Sequence, residues 1–161
     1  MRTNNGKVKN VIISVYFILI VLAILLATVF SAFQHLTPNP FVTFCMLLFG
    51  FVALFFIVHR ISKYFEYDSD GVQVVVLNRG LLLADHFNYR EHQLEFYKEN
   101  LISYKFRNYL IYRQLTLYTK DRNGNPKKTN FNISLVTKKK RRYIRQSLSK
   151  MIKENRKQNS N

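Results

Sequence analysis

The stretch VIISVYFILIVLAILLATVFSAF, at Val11–Phe33, contains no charged residue and no histidine, and the same is true of FVTFCMLLFGFVALFFIV at Phe41–Val58. The two stretches hold 23 and 18 residues. A helix needs about 20 consecutive apolar residues to cross the hydrocarbon core of a bilayer. The sequence therefore predicts a membrane protein with a transmembrane hairpin (residues 11–59), made of helices 11–33 and 41–58, followed by a soluble domain.

The positions of the basic residues predict the orientation of this hairpin. The tail, residues 1–10, carries three of them, and Arg60 and Lys63 follow the second apolar stretch, whereas the loop Gln34–Pro40 carries none. Because short cytoplasmic segments are enriched in Lys and Arg, both termini are predicted to be cytoplasmic, in a multi-pass protein of the cytoplasmic (inner) membrane. A cleaved signal peptide is the alternative for the first stretch, which is longer than the roughly 7–15 apolar residues of a typical signal.

Small residues recur along both apolar stretches. At a spacing of four they let transmembrane backbones approach closely, although small residues are also common in any membrane helix. The predicted packing positions are Ala23, Ala27, Ser31, Gly50 and Ala53. Neither stretch holds a charged side chain that could carry a proton or an ion, which argues against a pump or transporter.

The chain after residue 62 alternates between short β-rich stretches and turn signals. Asp70-Gly71 is a strong hairpin signal, and Phe131–Leu135 alternates strictly between apolar and polar residues, as in a half-buried strand. About seven strands are expected. They include Leu81–Phe87, a weak and irregular strand at His92–Tyr97, and a long strand at Leu110–Lys120 with a bulge near Arg113-Gln114.

The last segment is predicted to be a helix over residues 138–157. It holds no Gly or Pro, Thr137 is placed to cap it, and its apolar residues form one stripe: Ile144, Leu148, Met151 and Ile152. We therefore expect an α+β, mainly β domain over residues 62–157, with strands within 64–135 that form a small barrel closed by this helix. Residues 158–161 are expected to be a disordered tail.

This order of strands and closing helix resembles the pleckstrin-homology superfold, and more narrowly the bacterial PH-like domains that follow a transmembrane hairpin in small membrane proteins. The resemblance is carried by FEYDSDGVQVVVLNRG at Phe65–Gly80, by ENLISYKFRNYLIYRQLTLY at Glu99–Tyr118, and by the helix after FNISLV at Phe131–Val136. It implies a fold and no particular activity. PH-like domains that bind inositol phosphates use basic residues in the loop between their first strands. Here that loop, Ser69-Asp70-Gly71, is short and acidic, which argues against such a pocket.

Five consecutive cations, Lys138 to Arg142, begin the predicted helix, and no acidic residue shares its first turn. A helix N-terminus carries a partial positive charge, so an anion nearby would be favourable. The short link from the second apolar stretch keeps the domain close to the lipid headgroups, where each basic side chain contributes about 1 kcal/mol on an anionic leaflet. The predicted contacts with anionic lipid or a partner are Lys138, Lys139, Lys140, Arg141, Arg142, Arg145, Arg60 and Lys63.

The function predicted from these features is that of a non-catalytic interaction or scaffold module held against the inner leaflet. The alternative is a membrane-anchored adaptor, or a small subunit, whose basic helix binds an acidic protein partner. A basic run can also be a plain solvated face. RNA or another nucleic acid would suit a pI of about 10.1, but the period-2 placement of aromatic residues between Tyr104 and Tyr118 predicts that most of them are buried.

The residues that could serve in catalysis or metal binding do not have the spacing of a known catalytic or metal-binding motif. Cys45 is the only cysteine, so a disulfide framework is not expected. Asp85-His86 and Glu91-His92 are the one acid–histidine grouping, and with no nucleophile pattern nearby they are interpreted as a polar loop. The sequence therefore predicts neither an enzyme nor a bound cofactor or metal.

Overall fold

The computed structural model describes residues 2–29, 39–80, 92–121 and 123–158. The chain divides into two compact units. Unit 1 comprises Met1–Gly6 and Ile61–Asn161, and unit 2 comprises Lys7–Arg60. The first residues of the chain thus belong to the same unit as its C-terminal part, which the sequence did not predict.

Unit 2 is built from two apolar helices, α1 at Lys9–Val29 and α2 at Pro40–Ile61. Both are long and apolar enough to cross a membrane, in agreement with the two apolar stretches. Most of their large apolar side chains are exposed, a distribution typical of helices that are apolar on all sides. Residues 30–33, the predicted end of the first helix, lie outside the described residues.

A ring contact joins α1 to α2. The rings of Tyr16 and Phe55 meet edge to face, with centroids 5.2 Å apart. A Cβ at Gly50 would meet no atom of the described residues within 4 Å, so the described part of the chain makes no close approach at Gly50. Of the other predicted packing positions, Ala23 and Ala53 are half-buried and Ala27 is exposed, while Ser31 lies outside the described residues. Packing through these other small residues stays a prediction.

Unit 1 contains a four-stranded antiparallel sheet with the order β1-β2-β3-β4. Its strands are β1 at Arg2–Asn4, β2 at Lys63–Asp68, β3 at Gln73–Gly80 and β4 at His92–Tyr97. The segment expected to be a weak, irregular strand, His92–Tyr97, is a regular strand that pairs with β3 along its whole length. The expected strand Leu81–Phe87 lies outside the described residues.

Strand β1 comes from the segment interpreted as an N-terminal tail, residues 1–10. It pairs with β2, with Arg2 opposite Asp68 and Asn4 opposite Glu66. Asn5 fastens the end of β1, because its side-chain amide donates to the carbonyl oxygen of Lys63 at 2.9 Å and its side-chain oxygen accepts from the Phe65 backbone N–H at 2.8 Å. A short 3-10 helix at Gly6–Val8 then leads into α1.

The second sheet is three-stranded and antiparallel, with the order β5-β6-β7. Its strands are β5 at Leu101–Asn108, β6 at Arg113–Lys120 and β7 at Pro126–Asn132. The bulge expected near Arg113-Gln114 is wrong, because both residues pair in register with β5, and the irregularity lies between Leu101 and Ser103. The slip in alternation marks a tight turn instead, closed by the Tyr109 N–H donating to the Tyr112 carbonyl oxygen at 2.8 Å.

The described strands form two sheets and not the single closed barrel that we expected. Asn78 of β3 bridges the two sheets, since its side-chain amide donates to the carbonyl oxygens of Tyr64 and Asn132 at 2.8 and 3.1 Å. Strand β7 ends at Asn132, earlier than the predicted Leu135, because the side-chain oxygen of Asn132 accepts from the Ser134 N–H at 2.9 Å and turns the chain.

Helix α3, at Lys138–Gln158, packs its apolar stripe onto both sheets. Ile144, Leu148 and Met151 are buried and Ile152 is partly buried against the core, which confirms the predicted stripe. Thr137 caps the helix as predicted, because its hydroxyl accepts from the Lys140 N–H at 3.4 Å. Of the expected tail 158–161, Gln158 ends α3 and the remainder lies outside the described residues.

Candidate functional site

An open cavity of about 620 Å³ lies in unit 1 between the β5–β6 turn and the first turns of α3. We call it the basic cavity. No acidic residue lines it among the described residues, whereas five cationic side chains do. Its lining residues are Asn108, Tyr109, Arg113, Lys138, Arg141, Arg142, Arg145 and Gln146.

Two separate elements supply the cations of the basic cavity. On α3, Lys138, Arg141, Arg142 and Arg145 are three or four positions apart and so share one face of the helix. Arg113 comes from the start of β6, where its backbone is held at both ends. Its N–H donates to the Ser134 hydroxyl at 2.9 Å, and its carbonyl oxygen accepts from the Ile133 N–H at 2.9 Å.

The cations of the cavity repel one another. Burial lowers the pKa of Arg141, and the neighbouring charges of Arg113 and Arg145 lower it further. The Nε atom of Arg141 is buried and has no hydrogen-bond partner within the described part of the chain. The N-terminus of α3 adds its own partial positive charge at this point. Among the described residues nothing anionic lines the cavity, so an external anion would relieve the repulsion between its cations.

Arg145, one of the cations of the cavity, also contacts an aromatic ring. The guanidinium of Arg145 lies over the ring of Phe106, 5.0 Å from the ring centroid. Such a cation–π contact contributes about 0.5–1 kcal/mol at an exposed site. It holds the guanidinium of Arg145, a lining residue of the basic cavity, against the Phe106 ring.

An apolar tip, Tyr109–Ile111, adjoins the basic cavity at the β5–β6 turn. Leu110 is fully exposed, and Tyr109 and Ile111 each expose more than half of their surface. Tyr109 also lines the cavity. Three consecutive exposed apolar residues beside a basic patch are unfavourable in water and are typical of surfaces that meet a partner or a membrane.

Both features lie at the end of unit 1 from which the chain continues into α1 and α2. We call it the exit end and define it by Asn5 and Lys63. The Lys140 ammonium donates to the carbonyl oxygen of Asn4, which places the start of α3 at this end.

The β5–β6 turn lies at the exit end as well. Gln114, next to Arg113, pairs with Asn132, and Asn78 links Asn132 to Tyr64, the neighbour of Lys63. Hydrogen bonds within unit 1 therefore connect the start of β6 to the start of β2. The basic cavity, the apolar tip and the two chain exits share one end of the unit.

The predicted contact residues do not all lie together. Lys138, Arg141, Arg142 and Arg145 share the basic cavity, whereas Lys139 is exposed and is not one of its lining residues. The other predicted contacts are not among the lining residues of the cavity: Lys140 donates to Asn4, Lys63 begins β2, and Arg60 belongs to unit 2.

Sequence reasoning missed Arg113 and the apolar tip. Arg113 was interpreted as part of a long strand, Leu110–Lys120, so its position at a turn facing α3 was not foreseen. One sequence signal could have identified both Arg113 and the apolar tip. After the polar residue Asn108 the alternation of apolar and polar residues is interrupted, which marks a turn with apolar residues at its tip.

A catalytic or metal centre is not evident in the described part of the chain. No group of three or more His, Cys, Asp or Glu residues within metal-binding reach is found there. The acid–histidine grouping at Asp85, His86 and Glu91 lies outside the described residues.

The fold and site thus define a chain with two apolar helices, an antiparallel β unit closed by a helix, and a basic cavity at the exit end of that unit. No family model matches this chain, and no curated protein or solved structure matches it either.

Proposed function

We propose that this protein is a non-catalytic interaction or scaffold module of the cytoplasmic membrane, anchored by α1 and α2, whose basic α3 contacts anionic lipid headgroups. Two observations support the anchor: the length of both helices and their exposed apolar surfaces. A strand-rich unit closed by a C-terminal helix supports grouping the soluble unit with PH-like domains. We place that unit and both termini on the cytoplasmic side.

The pairing of β1 with β2 supports this topology. β1 precedes the two helices and β2 follows them, yet they are hydrogen-bonded neighbours. Two segments that pair must occupy the same side of a membrane, so the helices between them have to cross it an even number of times. Two crossings by α1 and α2 satisfy this condition, and the basic residues that flank the pair favour the cytoplasmic side.

The observation that carries the proposal is the location of the basic cavity and the apolar tip at the exit end. Only Ser62 separates α2 from β2. If the apolar stretch Phe41–Val58 spans the bilayer, only residues 59–62 therefore lie between it and β2, which begins at the exit end. Each cation near an anionic leaflet contributes about 1 kcal/mol, and burial of a Leu side chain such as Leu110 contributes about 1.5–3 kcal/mol.

Lysine acylation followed by mass spectrometry tests the headgroup contact on the unmodified full chain in nanodiscs. Lys138 and Lys139 are exposed at the start of α3, and Lys127 and Lys128 are equally exposed near the far end of β7. We expect anionic lipid to protect Lys138 and Lys139 relative to neutral lipid, while Lys127 and Lys128 react equally in both. The protection is expected to weaken as salt rises, because ions screen surface charges.

Two outcomes would contradict the lipid contact. One is equal reactivity of Lys138 in neutral and anionic nanodiscs, and the other is uniform protection of all four lysines. If Lys138 and Lys139 are protected only when a membrane extract is added and not by lipid alone, the alternative of an acidic protein partner replaces the lipid proposal.

A further inference from the structure

We propose that the basic cavity is a specific site for a doubly charged phosphate group, either a phosphate monoester or a pyrophosphate. This inference rests on the proposed function, because it names the chemistry of the anion that the basic end of α3 contacts. The phosphate could be the terminal group of a lipid or a soluble phosphate compound, and the shared chemistry is a tetrahedral oxyanion with more than one negative charge.

The donor set supports phosphate over a singly charged anion. Arg113, Arg141 and Arg145 supply three guanidinium groups, and each can donate two parallel hydrogen bonds to adjacent phosphate oxygens. Lys138 and Arg142 add two further charges to the same wall. The cavity has five cations and no acidic residue among its described lining residues. A singly charged anion would compensate less of this positive charge than a doubly charged phosphate would.

The shape of the site separates it from a plain solvated face. The cavity volume of about 620 Å³ falls within the roughly 300–1,000 Å³ of small-molecule pockets. Its walls come from two elements that are separate in the chain, and the backbone of Arg113 is fixed by Ile133 and Ser134. These backbone bonds fix the point from which the Arg113 side chain extends.

Arg141 lies in an unfavourable electrostatic environment, because burial and the nearby charges of Arg113 and Arg145 lower its pKa. Its side chain is half-buried, and its Nε is buried with no hydrogen-bond partner among the described residues, which costs free energy. The N-terminus of α3 supplies a favourable field at the same place. The geometry therefore places a surplus of positive charge around one volume.

Calorimetric titration of the full chain in neutral detergent with inorganic phosphate and with pyrophosphate tests the site. The variant Arg113→Gln/Arg141→Gln removes two charges from the cavity, and Lys127→Gln/Lys128→Gln removes two charges far from it. We expect both probes to bind the parent chain, with pyrophosphate the tighter of the two. Affinity should fall at least about tenfold in the cavity variant and stay unchanged in the control.

A charge-preserving variant distinguishes the loss of guanidinium donors from a loss of folding. Arg113→Lys/Arg141→Lys keeps the net charge but removes the paired donors of the guanidinium groups. We expect it to keep the salt-dependent protection of Lys138 by anionic nanodiscs while it loses most of its affinity for pyrophosphate. Equal affinity of the lysine variant and the parent chain would overturn the proposed guanidinium site.

The source of the phosphate is distinguished in nanodiscs of equal total charge. One set holds phosphatidic acid, whose headgroup is a phosphate monoester, and the other holds phosphatidylglycerol, a diester. A lipid source predicts stronger protection of Lys138 by phosphatidic acid, reversed by added pyrophosphate. A soluble source predicts pyrophosphate binding with no difference between the two lipids.

The two proposals fail in different ways. Absence of phosphate and pyrophosphate binding, together with equal protection by both anionic lipids, would overturn the phosphate site and leave the headgroup contact standing. Binding of pyrophosphate without any protection by anionic lipid would overturn the headgroup contact instead.

Discussion

Asn5→Ala tests the unexpected strand at the N-terminus. Asn5 is almost fully buried, and its side chain makes two hydrogen bonds to the backbone of β2, one to Lys63 and one to Phe65. The alanine variant leaves both backbone groups without their partner. Because an unsatisfied buried donor or acceptor costs about 1–3 kcal/mol, and the Lys63 carbonyl is only partly buried, we expect a loss of about 2–3 kcal/mol.

Urea unfolding of unit 1 within the full chain, in neutral detergent, measures this loss. With a denaturant slope of about 1–3 kcal/mol per molar urea, the unfolding midpoint should fall by roughly 0.7–3 M. Hydrogen exchange should accelerate in β1 and β2 before it changes in the three-stranded sheet, because the lost bonds lie between those two strands.

Asn125→Ala is the matched control, since Asn125 is exposed in the β6–β7 turn. Its unfolding midpoint should stay within error of the parent chain. Equal midpoints for Asn5→Ala and Asn125→Ala would refute the reasoning, because the N-terminal segment would then contribute nothing to unit 1.

Three further predictions concern unit 1. Arg113→Gln should stabilise the unliganded chain by up to about 1 kcal/mol in urea unfolding, because it relieves repulsion on Arg141, while it weakens phosphate binding. Burial raises the pKa of Glu66, but hydrogen bonds from Tyr64 and Arg2 lower it by more, so the pKa of Glu66 in the folded protein is lowered. The stability that Glu66 contributes is present above its unfolded-state pKa. It is lost as pH falls through the lower folded-state pKa. The urea midpoint should therefore fall on acidification below about pH 4.5. Ile144→Ala should cost about 2–5 kcal/mol in the same assay, since Ile144 is fully buried in the core.

Each of these predictions has its own control. A loss of stability in Arg113→Gln would contradict the repulsion between the cavity cations. Glu66→Gln should flatten the acid dependence, and an unchanged slope in that variant would assign the effect to another group. Lys150→Ala, on the exposed side of α3, should leave the midpoint unchanged, and a loss equal to that of Ile144→Ala would contradict the assigned core face.

Local patterns explain what the sequence could predict. The absence of charge over two long stretches was sufficient to predict the two long apolar helices α1 and α2, because length and composition are visible in the chain itself. The stripe of Ile144, Leu148 and Met151 and the cap at Thr137 depend only on neighbours within a few residues. These features can therefore be predicted from the sequence without knowledge of the tertiary fold.

Long-range pairing explains what the sequence could not predict. β1 is three residues long and has no alternating pattern of its own, so only its contact with β2 makes it a strand. The basic cavity also depends on contacts between segments that are distant in the sequence. Its α3 residues were expected as contacts from the charge run, but Arg113 joins them only because the fold brings the start of β6 to the start of α3.

The junction of the two sheets is a further case. The polar residues Asn78 and Asn132 make the bonds between β3 and the end of β7. An alternating pattern reports which face of a strand is buried, but it carries no information about which sheet the strand joins. A closed barrel and two bridged sheets therefore predict the same alternation.

A single tryptophan at the apolar tip tests the central proposal, that the exit end of unit 1 contacts the bilayer. The chain contains no tryptophan, so Leu110→Trp and Val72→Trp each introduce one reporter. Both sites are exposed, but Val72 lies at the β2–β3 turn, at the opposite end of β2 from Lys63. In proteoliposomes with brominated lipid, Leu110→Trp fluorescence should be quenched and Val72→Trp fluorescence should not. Equal quenching of the two reporters, or quenching of Val72→Trp alone, would contradict the proposed contact.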